Sequence, residues 1–160
     1  MKTSMNNNLT PQEDEYIITL VRDLEKETDR GLAIIVGAYI EQLLQNAIIK
    51  RFGISSRKKQ TELFEGPTSL LGTFSSKIIF AHVTGIIDDI NKDDIHQIKQ
   101  IRNEFAHRFN DATFSTEKIV DLCNNLKLAR IGETPKTARE KFKKTSIRLM
   151  MNILASQHER

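Results

Sequence analysis

The chain has 160 residues and a formal net charge of +3; 39% of the residues are hydrophobic and 28% are charged. This length and balance suit one globular domain with a real core and exclude an intrinsically disordered chain. The single cysteine, Cys123, excludes an internal disulfide, and the N-terminus lacks the apolar core of a signal peptide, so we predict a cytoplasmic protein. The longest apolar stretch, from Leu32 to Ile40, is interrupted by Gly37 and falls short of membrane-spanning length, so no membrane contact is expected.

Apolar residues recur along the chain with helical rather than alternating spacing, and strand signals are weak throughout. We therefore predict an all-α fold in which about six helices form a single bundle. Residues 1–9 are mostly polar, so we expect them to be disordered, with residues 10–160 forming one helical domain.

The first two predicted helices have recognisable boundaries. Thr10, Pro11 and Glu13 supply an N-cap, a proline in the first turn and the acid of a capping box, which predicts a helix start at Thr10. Asp29 can cap a second helix, whose apolar stripe continues almost to Gly53, a residue suited to a helix C-cap.

The middle of the chain alternates helices with breaks. Residues 54–67 contain a basic run and a Gly-Pro pair, which predicts a loop or a pair of short turns. A helix is expected over about residues 73–84, and Gly85 ends it or marks a tight bend. Asn91 and Asp94 then start a longer helix that is apolar on one face.

The last third of the chain contains a short helix from Ser115 and a final helix rich in basic residues. Thr134 and Pro135 provide a cap and a first-turn proline, so we predict the final helix over residues 134–157. Its basic side chains indicate either a solvated helix face or a phosphate-binding stripe for nucleic acid, and both interpretations stay open. The candidate nucleic-acid-binding residues are Lys136, Arg139, Lys141, Lys143 and Lys144.

One segment carries residues that can do chemistry: Arg102, Asn103 and His107 lie near the end of a predicted helix. A histidine can transfer a proton near neutral pH and an arginine can hold a phosphate, which are the requirements of metal-independent RNA cleavage. A spacing of five residues separates Arg102 and His107 by about 140° on a straight helix. They converge only at a bent helix end or across a dimer axis. The structural alternative pairs Arg102 with Asp94 or Glu104 and lets His107 cap the helix C-terminus.

Other motifs indicate neither a metal nor a cofactor. The remaining histidines, His82, His96 and His158, have no carboxylate or cysteine at ligand spacing, so we predict no metal site. A P-loop and a dinucleotide-binding fingerprint are both missing from the sequence, so we predict no cofactor.

Several stretches within residues 29–126 carry a family resemblance. They are Asp29-Arg30-Gly31-Leu32-Ala33, Ala38-Tyr39-Ile40-Glu41-Gln42-Leu43-Leu44, Leu63-Phe64-Glu65-Gly66-Pro67, Leu71-Gly72-Thr73-Phe74-Ser75-Ser76-Lys77-Ile78 and the segment from His96 to His107. In this order, the Gly-Pro, Leu-Gly-x-Phe-Ser and Arg-Asn-x-Phe-Ala-His elements resemble the mannitol operon repressor family. The resemblance implies an all-helical negative regulator of sugar-alcohol uptake genes. It brings no recognised DNA-binding motif, so repression through a partner protein and direct contact with nucleic acid both stay open.

The element formed by Arg102, Asn103 and His107 is also similar to the signature of the HEPN superfamily, whose members are helical bundles, often dimeric, and include many ribonucleases and toxin components. This second resemblance implies a HEPN-like bundle in which these three residues form a composite active site. Our main prediction is a non-enzymatic, homodimeric transcriptional regulator that has a regulatory protein partner or contacts nucleic acid weakly. The alternative is a HEPN-type endoribonuclease that uses Arg102 and His107.

Overall fold

A computed structural model describes residues 9–108 and 111–158, which contain seven α-helices, one short 3-10 helix and no strand. The α-helices are α1 (Pro11–Leu24), α2 (Asp29–Arg51), α3 (Arg57–Phe64), α4 (Phe74–Val83), α5 (Asp89–His107), α6 (Glu117–Asn124) and α7 (Ala138–Ser156). The 3-10 helix covers Leu128–Arg130, between α6 and α7. The prediction of an all-α helical bundle is confirmed, with seven helices where about six were expected.

Helix α2 is the central element of the bundle, because it packs against α4, α5 and α7. One hydrophobic cluster includes buried side chains from all seven α-helices. By length and composition alone, α2 is also apolar enough to cross a membrane, contrary to our expectation that no stretch approaches this length. Half of its most apolar stretch is buried inside the bundle, as in the core helix of a folded domain, and the absence of membrane contact stays a prediction.

Side-chain caps mark the start of five of the seven α-helices, all except α3 and α6. The capping box at Thr10 is confirmed: its hydroxyl accepts the backbone N–H of Glu13 at 3.3 Å, and the Glu13 carboxylate accepts the N–H of Thr10 at 2.8 Å. Four further N-cap residues lie within a few residues of the predicted starts, and they are Thr28 for α2, Thr73 for α4, Asp88 for α5 and Thr116 for α6. Gly85 separates α4 from α5 with a φ of 73°, a conformation that favours glycine.

Two boundaries differ from our predictions. The segment 54–67, expected to be a loop or short turns, contains helix α3, which is anchored by the amide of Gln60 donating to the carbonyl of Ile54 at 2.7 Å. The final helix begins at Ala138 and not at residue 134, because the Thr137 hydroxyl is the one that accepts a first-turn N–H, at 3.2 Å. Lys136 therefore precedes α7 and is not part of it.

The first and last helices meet at their outer ends. The Nε2 atom of His158, just beyond α7, lies 3.0 Å from both carboxylate oxygens of Glu13 in the first turn of α1. Leu9 packs against the hydrophobic core, although we expected disorder up to this residue. The rest of that predicted disordered segment, residues 1–8, lies outside the described residues.

Candidate functional site

Arg102 extends from α5 across α2 towards α4. Its aliphatic stem passes over Gly37, where a Cβ atom would lie 2.5 Å from Arg102 Cδ and 3.2 Å from Arg102 Cβ. The path of the stem therefore requires a residue without a side chain at this position of α2. The guanidinium lies 5.3 Å from the centroid of the Phe74 ring, a cation–π contact, and Nη2 donates to Oδ1 of Asn103 at 3.1 Å.

Glu41 on α2 binds two cations at once. Its Oε1 atom lies 2.9 Å from Nζ of Lys77 on α4, and its Oε2 atom lies 3.5 Å from Nη1 of Arg102 on α5. The Lys77 side chain is only 6% exposed, so its ammonium has lost most of its contact with water and depends on Glu41 for a partner. We call Glu41, Lys77, Arg102 and Asn103 the Glu41 cluster. This cluster joins α2, α4 and α5.

The Glu41 cluster also brings together the stretches that carry the family resemblance. Glu41 comes from the stretch on α2, Lys77 from the one on α4, and Arg102 and Asn103 from the one on α5. These stretches are far apart in the sequence and meet only in the folded chain. These four residues therefore share a role in packing three helices together.

His107 does not join the Glu41 cluster. It is exposed in the last turn of α5, and its side chain has no hydrogen bond or ion pair with any described residue. Arg102 faces Glu41 and Phe74 instead, as the rotation of about 140° between positions five residues apart predicts. A single chain thus brings Arg102 and Asn103 together but does not bring His107 to them.

The ion-pair partner of Arg102 is Glu41 and neither of the two acids considered from the sequence. Asp94 is fully buried and accepts two backbone N–H groups of the turn after α6, at 2.8 and 2.7 Å. Burial is the main cause of the raised pKa of Asp94. Glu104 pairs with a lysine on α6 and with the arginine that follows α5.

Two basic residues of α7 point towards α1 and α2. Nη1 of Arg139 lies 2.5 Å from Oδ1 of Asp29, in the first turn of α2. Nζ of Lys143 lies 3.1 Å from Oε1 of Glu25, which follows α1. Both cations are therefore engaged by carboxylates of the same chain.

The other three candidate basic residues, Lys136, Lys141 and Lys144, have no acidic partner among the described residues. Nζ of Lys141 donates to Oδ1 of Asn124 on α6 at 2.8 Å, and Nζ of Lys144 donates to the carbonyl of Ile131 at 2.7 Å. Lys136 is exposed and has no polar partner among the described residues. The five candidate residues thus point in at least two directions and do not follow one continuous stripe.

An open groove of about 550 Å³ lies where α7 begins, beside α6 and the start of α2. Its wall is held by Asp29, whose Oδ2 accepts the backbone N–H of Phe114 at 2.9 Å. Three of its ten lining residues, Lys136, Arg139 and Lys141, were candidates for nucleic-acid binding from the sequence. The sequence did not indicate that they share a groove, because this depends on how distant segments pack. The other lining residues include Asp29, Phe114 and Asn124.

No group of three His, Cys, Asp or Glu side chains within residues 9–108 and 111–158 is arranged to hold a metal ion. His82 lies 2.8 Å from the carboxylate of Asp89. Cys123 is fully buried, and this burial raises the pKa of its thiol to about 12. The thiol is therefore a poor nucleophile at neutral pH.

Comparison of the chain with models of protein families, with curated proteins and with solved structures found no match. The two family resemblances therefore rest on the residues quoted for them.

Proposed function

We propose that this chain is a non-enzymatic regulatory protein of the mannitol operon repressor type, which represses sugar-alcohol uptake genes through a protein partner or by weak contact with nucleic acid. The Glu41 cluster is the observation that carries this proposal. In it, Arg102, the residue that RNA cleavage needs to hold a phosphate, is bound to Glu41 and stacked on Phe74. Four of the residues that carry the resemblance, Glu41, Lys77, Arg102 and Asn103, thus bind one another and hold α2, α4 and α5 together.

The contacts of the basic residues favour a protein partner over direct binding of DNA. Lys141, Lys143 and Lys144, which we call the three α7 lysines, each bind an acceptor within the chain. Proteins that bind DNA without a base-reading element rely on cations that contact several phosphates along the duplex. A duplex would have to displace these internal contacts of the three lysines before it could bind them.

A reporter assay combined with DNA binding tests the proposal. The wild-type chain should repress a reporter driven by a sugar-alcohol uptake promoter, while the purified protein binds that promoter DNA weakly or not at all at physiological salt. If the chain represses none of the sugar-alcohol uptake promoters, the proposed regulatory function is contradicted.

Charge reversal separates the two routes of repression. One variant replaces the three α7 lysines by glutamate, and its matched control replaces Lys50, Lys58 and Lys59, which are exposed and lie on other helices. Repression by both variants supports the route through a partner. If only the α7 variant loses both repression and low-salt DNA binding, direct contact through α7 is the route.

Metal-independent RNA cleavage is the second candidate function, and one observation favours it. His107 is exposed, and Arg102 keeps 26% of its side chain exposed beside Asn103, so a second copy of the chain can bring His107 near the Arg102 of the first. Cleavage of a mixed RNA pool without added metal, and growth inhibition on expression, should both be lost in His107→Ala. An RNA pool left intact by the purified wild-type protein would contradict this candidate.

The homodimer is a proposal that bears on both candidates. Sedimentation equilibrium should give the mass of two chains at micromolar concentration. A monomer would leave the ribonuclease without a composite site, whereas the regulatory proposal does not depend on a dimer.

A further inference from the structure

The groove at the start of α7 has the charge and size that suit a small anionic ligand. Lys136, Arg139 and Lys141 line it, and Asp29 is the one carboxylate among its lining residues, so cations exceed anions by two. Its volume of about 550 Å³ lies within the range of about 300–1,000 Å³ that is typical of small-molecule sites.

The cations of the groove differ in how they are held. Nη1 and Nη2 of Arg139 donate to the Asp29 carboxylate at 2.5 Å and to the carbonyl of Glu27 at 2.8 Å, so this side chain is a fixed part of the wall. Lys136 has no polar partner among the described residues, and Lys141 donates only to the neutral amide oxygen of Asn124. Because no acid neutralises these two lysines, their charges are available to a ligand.

Neutral hydrogen-bonding groups lie beside the lysines. Asn124, Ser115 and Thr137 line the same groove, and amide and hydroxyl side chains of this kind can bind the hydroxyls of a polar ligand. A phosphate monoester carries close to two negative charges at neutral pH, which matches the excess of two cations. Lys143 is paired with Glu25, Lys144 donates to two backbone carbonyls, and neither residue lines the groove, so the cations of the groove form a compact group and not a track along a nucleic acid.

We propose that this groove binds a small phosphate monoester, with Lys136 and Lys141 contacting the phosphate and with Asn124 and Thr137 contacting hydroxyl groups of the rest of the ligand. This ligand site does not depend on whether the chain is a regulator or a ribonuclease. Arg139 positions the wall of the groove through Asp29 and does not have to leave its carboxylate for the ligand to bind.

Calorimetric titration tests the proposal with glucose 6-phosphate and glycerol 3-phosphate as probes, and with inorganic phosphate and glucose as partial ligands. An ester should bind more tightly than inorganic phosphate or glucose. Lys136→Ala and Lys141→Ala should each weaken its binding by about tenfold or more, the loss expected for one charge-assisted hydrogen bond. Lys58→Ala, an exposed lysine on α3, is the matched control and should bind as the wild type does.

Amide chemical shifts supply a second readout on the unmodified chain. The backbone signals of Asn124, Thr137 and Ala138 should move when the ester is added. Lack of binding by every ester at millimolar concentration overturns the proposal, and so does equal binding by Lys136→Ala and Lys58→Ala. Tighter binding of a short DNA duplex than of the esters, with the same loss in Lys136→Ala, assigns the groove to nucleic-acid phosphate and also overturns it.

Discussion

Replacing Glu41 by alanine removes the carboxylate that Lys77 and Arg102 share. The Lys77 ammonium, with 6% of its side chain exposed, is then left without an opposite charge and still faces Arg102. Removing one partner of a buried ion pair costs about 3–5 kcal/mol. Glu41 itself is 25% exposed, so water can reach the vacated space, and we expect Glu41→Ala to lower the free energy of unfolding by about 2–3 kcal/mol.

Three companion variants isolate the ion pair from other effects. Glu41→Gln keeps the shape and one acceptor, so its loss of stability should be smaller than that of Glu41→Ala. The double variant Glu41→Ala/Lys77→Met should recover part of the loss, because no unpaired cation remains in the core. Glu62→Ala, which changes an exposed glutamate on α3, should stay within about 0.5 kcal/mol of the wild type.

Urea denaturation followed by far-ultraviolet circular dichroism measures all four variants. If Glu41→Ala costs less than about 0.5 kcal/mol and the double variant shows no recovery, the Glu41 cluster does not hold α2, α4 and α5 together. Arg102 would then lose its structural role, and the ribonuclease candidate would gain weight.

Other predictions concern single buried or paired groups. Asp94→Ala should lower the free energy of unfolding, measured in urea, by about 2–4 kcal/mol, because two backbone N–H groups lose their acceptor in the core. Asp94→Asn keeps one acceptor oxygen, so its free energy of unfolding should fall by less. Equal decreases in the two variants would contradict this reasoning. Cys123 should resist a thiol reagent in the native protein and react on unfolding, since burial raises the pKa of its thiol to about 12; rapid labelling of the native chain would refute this. Desolvation acts to raise the pKa of Glu13, but hydrogen bonds from Thr10 and His158 outweigh it and hold this pKa below its ordinary value of 4.5. The ionised Glu13 carboxylate therefore stabilises the fold at pH values above its pKa in the unfolded chain, and this stabilisation is lost as the pH falls through its lower pKa in the folded chain. In thermal melts, the melting temperature of Glu13→Gln should therefore fall less on acidification than that of the wild type. Identical dependence of the two melting temperatures on pH would disprove the link.

The existence of most helices could be predicted because apolar spacing is a local property of the sequence. Helix α3 escaped prediction because its apolar residues, Leu63 and Phe64, are adjacent at its end and form no periodic stripe. Its position is fixed instead by contacts outside the helix, such as the backbone bond from the N–H of Leu71 to the carbonyl of Leu63 at 2.8 Å. Tertiary contacts of this kind leave no trace in hydrophobic periodicity.

The start of α7 was misplaced for a different reason. Thr134 and Thr137 both have the side chain of an N-cap, and Pro135 made the first of them the better candidate by composition. Which hydroxyl meets a first-turn N–H depends on the direction of the backbone, and that is set by the packing of the whole segment.

The candidate site could be predicted only as far as single-helix geometry allows. The angular separation of Arg102 and His107 follows from their spacing, and the structure agrees with it. Glu41 was not identified as the partner of Arg102, because it lies on another helix and helix periodicity says nothing about which helices touch. The one available signal was that Glu41, Lys77 and Arg102 all belong to stretches that resemble the same family.

The contact between Glu13 and His158 makes this chain suitable for circular permutation. Since these residues are neighbours in space, a short flexible linker between the beginning of α1 and the end of α7 would not have to cross the bundle. New termini could be opened at Gly132, which is exposed ahead of α7. Such a rearranged chain would keep the same helix packing while α7 became the first helix to leave the ribosome.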